Sequence, residues 1–241
     1  MKLLLLSNSA THARPYLSHA LEAIQSHTAG ISRSLLFVPY ALSDHEGYTE
    51  IVSQALQPLG LSVDGLHRYD DPVQAVRSCE AVFVGGGNTF RLLATLRKLR
   101  LIDPLREVVG AGVIYLGSSA GTNMACPTIR TTNDMPIVDP GSFEALGLVP
   151  FQINPHYLDT DPSSTHQGET RFQRITEFCE DNDVPVLAMR EGAWLEVENA
   201  RASLAGERGG VLFLPGGLNA EVAPGADVSS LLSTEPRFSH H

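Results

Sequence analysis

Short apolar runs alternate with longer stretches in which apolar positions recur at helical spacing, and this holds through most of the chain. Such alternation is the signature of a parallel sheet covered by helices on both faces. The predicted strands are Leu3–Leu6, Leu35–Pro39, Ala81–Val84, Val113–Leu116, Phe151–Ile153 and Val184–Met189. Helical patterns lie between them, around Tyr16–Ser26, Tyr48–Leu56, Val73–Glu80, Phe90–Leu99, Leu105–Val109 and Gly168–Glu180. Asp70-Asp71-Pro72 and Asn88-Thr89 read as helix N-termini, because Asp, Asn and Thr side chains satisfy the N–H groups that an opening helix leaves unpaired. From Ala193 onward the pattern turns to strand pairs with Gly- and Pro-containing turns, among them Gly206–Gly210 and Pro215–Gly217. The prediction is one α/β domain over residues 1–241, a doubly wound, mainly parallel sheet with a C-terminal β layer from about residue 193.

Composition agrees with that size of core: the chain has 241 residues, 43% of them hydrophobic. Seventeen Lys and Arg stand against 27 Asp and Glu, a formal charge of -10 with no basic run, which argues against nucleic-acid and anionic-membrane partners. Cys79, Cys126 and Cys179 are odd in number and widely spaced, so they read as reduced thiols packed as small hydrophobes and not as a disulfide scaffold. The apolar run after Met1-Lys2 is too short for a signal peptide and gives way to Ser7-Asn8-Ser9 without a cleavage pattern. It reads as the buried first strand of a cytoplasmic protein. His240 and His241 look like the remnant of an expression tag and carry no functional assignment.

Chemistry enters where the strand Val113–Leu116 runs into Gly117-Ser118-Ser119-Ala120-Gly121, a G-x-S-x-G at a strand-to-helix turn. Glycine is needed two residues to either side of the serine, because a side chain there would collide with neighbouring backbone. The turn lifts the serine hydroxyl to the mouth of the sheet and aims the next N–H, that of Ala120, at a developing oxyanion. Ser119 is thus the candidate nucleophile. Small-residue runs also occupy ordinary strand-to-helix turns, so this reading depends on its company. A second strand, Ala81–Val84, ends in Gly85-Gly86-Gly87-Asn88-Thr89-Phe90. That run is neither a dinucleotide fingerprint nor a Walker loop, and no partnering lysine follows. As a Gly-rich loop on a neighbouring strand it supplies the second oxyanion donor, the Gly87 N–H, with Asn88 beside it as a candidate substrate contact.

Of nine histidines, His156 stands out because Gln152-Ile153-Asn154-Pro155-His156 ends an apolar strand, which brings it to the sheet edge where Ser119 emerges. His12, His19, His27, His45 and His67 fall in helices or polar turns, and His166 in a polar segment. No two histidines show metal-ligand spacing, so no metal site is expected. A carboxylate must orient the imidazole. Glu191, at the end of the next apolar strand, is favoured over Asp134 in the polar loop Thr131–Pro136, since a strand end holds an orienting residue more firmly than a loop does.

The runs Gly85–Phe90, Ser119-Ala120-Gly121-x-Asn123, Cys126–Val138, Ile153–His156 and Gly168-Glu169-Thr170-Arg171 resemble the α-aspartyl dipeptidases, the peptidase E group of serine peptidase family S51. The resemblance extends from the first strand to the C-terminal β segment. Position by position it implies Ser119 as nucleophile, His156 as base, Glu191 as orienting acid, and the Gly87 and Ala120 N–H groups as the oxyanion hole. It further implies a fold similar to the class I glutamine amidotransferases, itself flavodoxin-like, and cofactor-free hydrolysis of dipeptides with an N-terminal aspartate. The match at Glu191 and the length of chain beyond Glu196 align it with the long members that cleave Asp-X. Two departures are Ser118, where an aromatic residue precedes the serine in other members, and the stretch Tyr157–Gln167 at the expected rim of the site.

The expected protein is therefore a cytoplasmic serine dipeptidase acting on small Asp-X peptides, either monomer or homodimer. An acidic substrate side chain approaching a protein of charge -10 needs a local cation, and Arg171 is the candidate because a guanidinium can fork onto a carboxylate. Asp134 is a second substrate candidate, as receiver of the free ammonium. Two alternatives stand beside this reading. One is a cyanophycinase-like exopeptidase, which needs an open groove where Thr131–Asp139 looks like a lid. The other is a catalytically silent small-molecule or nucleotide binder holding an anion at Gly85–Asn88.

Overall fold

The computed structural model describes residues 1–12, 14–32, 34–160, 163 and 168–239. His166, Gln167, most of the 161–167 rim, His240 and His241 lie outside the described residues. Among the described residues the strands form two sheets. The larger has the order β3 (Val63–Gly65), β2 (Leu35–Val38), β4 (Ala81–Val84), β5 (Ile114–Ser118), β1 (Lys2–Leu6), β8 (Ala193–Glu198), β9 (Arg201–Gly206). Its first five strands are parallel, and β8 and β9 add antiparallel beyond β1.

β1 shows why these runs are uniformly apolar. Leu3 and Leu5 face the side covered by α3 (Pro72–Ser78), α4 (Thr89–Lys98), α5 (Ile102–Gly110) and α6 (Ala120–Ala125), while Leu4 and Leu6 face α1 (Leu21–Thr28) and α2 (His45–Leu56). All four leucines are fully buried, as a strand with helices on both faces requires. The sheet is doubly wound, as the alternation predicts. Both predicted helix starts are capped: Asp71 accepts from the Gln74 N–H at 2.9 Å and Asn88 from the Arg91 N–H at 3.0 Å.

The smaller sheet has the order β11 (Asn219–Val222), β10 (Gly210–Phe213), β7 (Val186–Arg190), β6 (Gln152–Tyr157), with β6 and β7 parallel and the others antiparallel. Its inner face sends Ile153, Leu187 and Met189 into the main core, and its outer face packs Tyr157, Val186 and Phe213 against Ile175 and Cys179 of α7 (Arg171–Asp181). The residues from about 193 therefore do not stack as one layer; β8 and β9 widen the first sheet and β10 and β11 complete the second. Apolar periodicity identifies strands but carries no information on which strand pairs with which. β3 escapes prediction because its three residues, Val63, Asp64 and Gly65, make no apolar run at the sheet edge.

Candidate active site

The elbow has the shape its glycines predict. A Cβ on Gly117 would lie 2.6 Å from the Gly121 carbonyl oxygen, and one on Gly121 would overlap the Val84 carbonyl oxygen of the next strand. Between them Ser119 takes φ 52° and ψ -106°, a conformation that side chains rarely adopt and that the surrounding contacts hold in place. Its N–H donates to the Leu6 carbonyl at 3.0 Å, which fixes the elbow to the end of β1.

His156 arrives from the other sheet. The β6–β7 register shifts between Asn154 and Tyr157, and His156 takes φ 56°, so an irregularity in the strand re-aims its ring. His156 Nε2 lies 2.9 Å from Ser119 Oγ, and its Nδ1 lies 2.7 Å from Glu191 Oε1. Serine, imidazole and carboxylate thus form one hydrogen-bonded line. Glu191 belongs to the tight turn between β7 and β8, where Gly192 adopts φ 86°. Ser119 and His156 are part-buried and Glu191 is exposed.

Two side chains absent from the sequence reading hold this line across the sheet boundary. Ser7 Oγ donates to the Met189 carbonyl at 2.9 Å and accepts from the His156 N–H at 2.8 Å. Asn8 Oδ1 accepts from the Gly192 N–H at 2.8 Å. Their signal was available in the sequence: a polar Ser-Asn pair at the carboxyl end of a buried parallel strand sits where α/β sheets place their ligands.

The Gly-rich turn after β4 lies alongside. A Cβ on Gly86 would come within 3.2 Å of Ser119 Cβ, and one on Gly87, at φ 130°, would meet the Ala41 carbonyl oxygen at 2.8 Å. Among the described residues no protein acceptor takes the N–H of Gly87 or of Ala120. The structure does not add Asp134 to the line. Asp134 Oδ2 accepts from the Thr89 N–H at 2.7 Å and from Thr89 Oγ1 at 2.5 Å, so it holds the first turn of α4 and not the imidazole. Asn88 is likewise occupied by the fold, its Oδ1 capping α4 and its Nδ2 donating to the Met135 carbonyl at 2.9 Å. Both side chains thus also serve the fold at the first turn of α4.

Arg171 opens α7 behind the Thr170 capping box. Its Nη1 is buried without a hydrogen-bond partner among the described residues. Burial pushes its pKa below the ordinary guanidinium value, with nearby Glu191 acting in the opposite direction and Arg174 adding to the fall. A partly buried, unpaired guanidinium is costly to maintain and is a ready receiver for an anionic group. Among the other histidines, His67 pairs with Glu46 at 2.8 Å and His27 meets the Ala23 carbonyl within α1.

Residues 3–205 match the family model described as "Peptidase family S51". The chain belongs to peptidase family S51. Within this family it is 56% identical over 238 residues to a Streptomyces coelicolor protein named "Peptidase E", covering 99% of this chain and 98% of that one. It is 51% identical over 233 residues to a Drosophila melanogaster protein named "Probable alpha-aspartyl dipeptidase", covering 95% and 97% of the two chains. The crystal structure of a putative peptidase E protein from Listeria monocytogenes has the same fold, with a TM-score of 0.66 at 23% identity over 85% of this chain and 98% of that one. The S51 chain is therefore a peptidase. Among its described residues no helix is long and apolar enough to cross a membrane.

Proposed function

We propose that this S51 peptidase is a cytoplasmic serine dipeptidase that cleaves dipeptides with an N-terminal aspartate. The observation that carries the reading is the continuous line Ser119 Oγ, His156 Nε2, His156 Nδ1, Glu191 Oε1, with links of 2.9 and 2.7 Å, beside two backbone N–H groups without protein acceptors among the described residues. His156 takes the Ser119 proton as Oγ attacks the scissile carbonyl, and Glu191 holds the imidazole and balances the charge it gains. The N–H groups of Gly87 and Ala120 receive the negative charge that develops on the carbonyl oxygen. His156 then returns its proton to the departing amine, leaving an aspartyl ester on Ser119, and the same ring activates the water that hydrolyses that ester. Arg171 receives the side-chain carboxylate of the first residue. The name carried by the Drosophila relative supports this substrate, and three free cysteines support a reducing compartment.

The test combines a fluorophosphonate label with turnover of Asp-Leu. One equivalent of label on Ser119, Asp-Leu hydrolysis by the unaltered protein, and a loss of several orders of magnitude in Ser119→Ala are expected. Labelling of Ser118, or turnover by purified Ser119→Ala, would overturn the assignment of the nucleophile. Hydrolysis confined to β-linked Asp-Arg would instead favour a cyanophycinase-like activity.

A further inference from the structure

We infer that Leu42 and Met135 form the subsite for the side chain of the departing residue and make the enzyme selective for dipeptides whose second residue is apolar. This inference rests on the dipeptidase reading and extends it to the half of the substrate that no residue has yet been assigned to read. Three of the four directions around the reacting carbon are taken. One bond goes to Ser119 Oγ, the oxyanion turns to Gly87 and Ala120, and the aspartyl side chain turns to Arg171 on the side of Glu191. The fourth direction holds the leaving nitrogen, within reach of His156 Nε2.

Residues 131–135 pass close to both the strand of His156 and the oxyanion turn. They start beside the strand of His156, where Asn133 Nδ2 donates to the Pro155 carbonyl at 2.7 Å and Asn154 Nδ2 donates to the Thr131 carbonyl at 2.8 Å. They end at the oxyanion turn, where Met135 accepts from Asn88. Asn88 also donates its N–H to the Ala41 carbonyl at 3.0 Å, so the residues before Leu42 and the strap ending in Met135 converge on one turn from two directions. Leu42 reaches that turn directly, since a Cβ on Gly87 would lie 2.8 Å from Leu42 Cδ2.

Both side chains are left open to solvent, Leu42 at 38% and Met135 at 74% exposure, beside a site whose other members are polar. Single exposed apolar residues need no explanation, but here two stand at the oxyanion turn, and Ile137 follows at 47% exposure. A leucine or phenylalanine side chain placed there is removed from water against carbon, whereas a glutamate gains no cationic partner from either residue.

The decisive measurement is the ratio of kcat/KM for Asp-Leu to that for Asp-Gly, because damage to the fold or to the relay lowers both and leaves the ratio unchanged. In the double variant Leu42→Ala/Met135→Ala the ratio should fall about tenfold. In Met135→Lys the efficiency for Asp-Glu relative to Asp-Leu should rise by about the same factor. An unchanged ratio in both variants would overturn the subsite while leaving the dipeptidase reading intact. Failure of the unaltered protein to hydrolyse Asp-Leu and Asp-Gly alike would overturn the dipeptidase reading, and the subsite with it.

Discussion

Replacing Arg171 with alanine removes a guanidinium whose Nη1 is already stripped of water and has no protein partner among the described residues. The bound aspartyl carboxylate would then be desolvated with nothing opposite it. Truncating one partner of a buried, hydrogen-bonded charge pair costs about 2–5 kcal/mol, and because Arg171 is only part-buried the lower end, about 2–3 kcal/mol, applies. That corresponds to a fall of roughly 30- to 150-fold in kcat/KM for Asp-Leu. Asn-Leu carries a neutral amide in the same place and forfeits only an ordinary hydrogen bond, about 1 kcal/mol. The preference for Asp-Leu over Asn-Leu should therefore shrink about 5- to 30-fold. Arg171→Lys should restore part of it, since an ammonium cannot reproduce the planar fork. Comparing the two substrates also cancels any disturbance passed to the neighbouring Glu191, which would slow both equally. The assay is steady-state hydrolysis of both dipeptides by all three proteins. A parallel decline for Asp-Leu and Asn-Leu would refute the reasoning and place recognition of the carboxylate elsewhere.

Two further outcomes follow from the geometry. Glu191→Gln should lower kcat by one to several orders of magnitude while Asp134→Asn changes mainly stability, because the first holds the imidazole and the second holds Thr89; an acylation defect confined to Asp134→Asn in stopped-flow labelling would reverse the two roles. Gly121→Ala should destabilise the fold by about 3 kcal/mol in denaturant titration, since its methyl would overlap the Val84 carbonyl and neither backbone is free to retreat, and a loss below about 1 kcal/mol would contradict that close approach.

Much of the site was legible because each member stands where an apolar run stops. Ser119 and Glu191 directly follow buried strands and His156 stands next to the end of one, and in an α/β fold the carboxyl ends of parallel strands converge on one edge. The glycines could be read because their spacing encodes collisions, and a Cβ at Gly117 or Gly121 does meet backbone. Pairing was not legible. β6 and β7 look like two more strands of the main sheet, yet they form a second one, and the polar bonds that join the sheets, Ser7 to His156 and Asn8 to Gly192, link positions 149 and 184 residues apart. The structural bond of Asp134 was hidden for the same reason: its partner Thr89 lies 45 residues away and nothing local points to it. The irregularity at His156 does leave a mark in the sequence, Pro155, which has no N–H for the ladder and stands inside the Asn154–Tyr157 register shift.

The division of the site between two sheets has a mechanical consequence. His156 rides on β6 of the smaller sheet, and Glu191 stands on the two-residue turn that carries the chain from β7 of that sheet into β8 of the larger one. Ser119 rides on the larger sheet. A slip of about 1 Å between the sheets would strain both links of the line, the 2.9 Å one from His156 to Ser119 and the 2.7 Å one from His156 to Glu191. The imidazole works as a vernier across the seam between the sheets, with Ser7 and Asn8 as its set screws. Damage at that seam would break the line at the imidazole, on its serine side or its carboxylate side, while the two sheets still share one core.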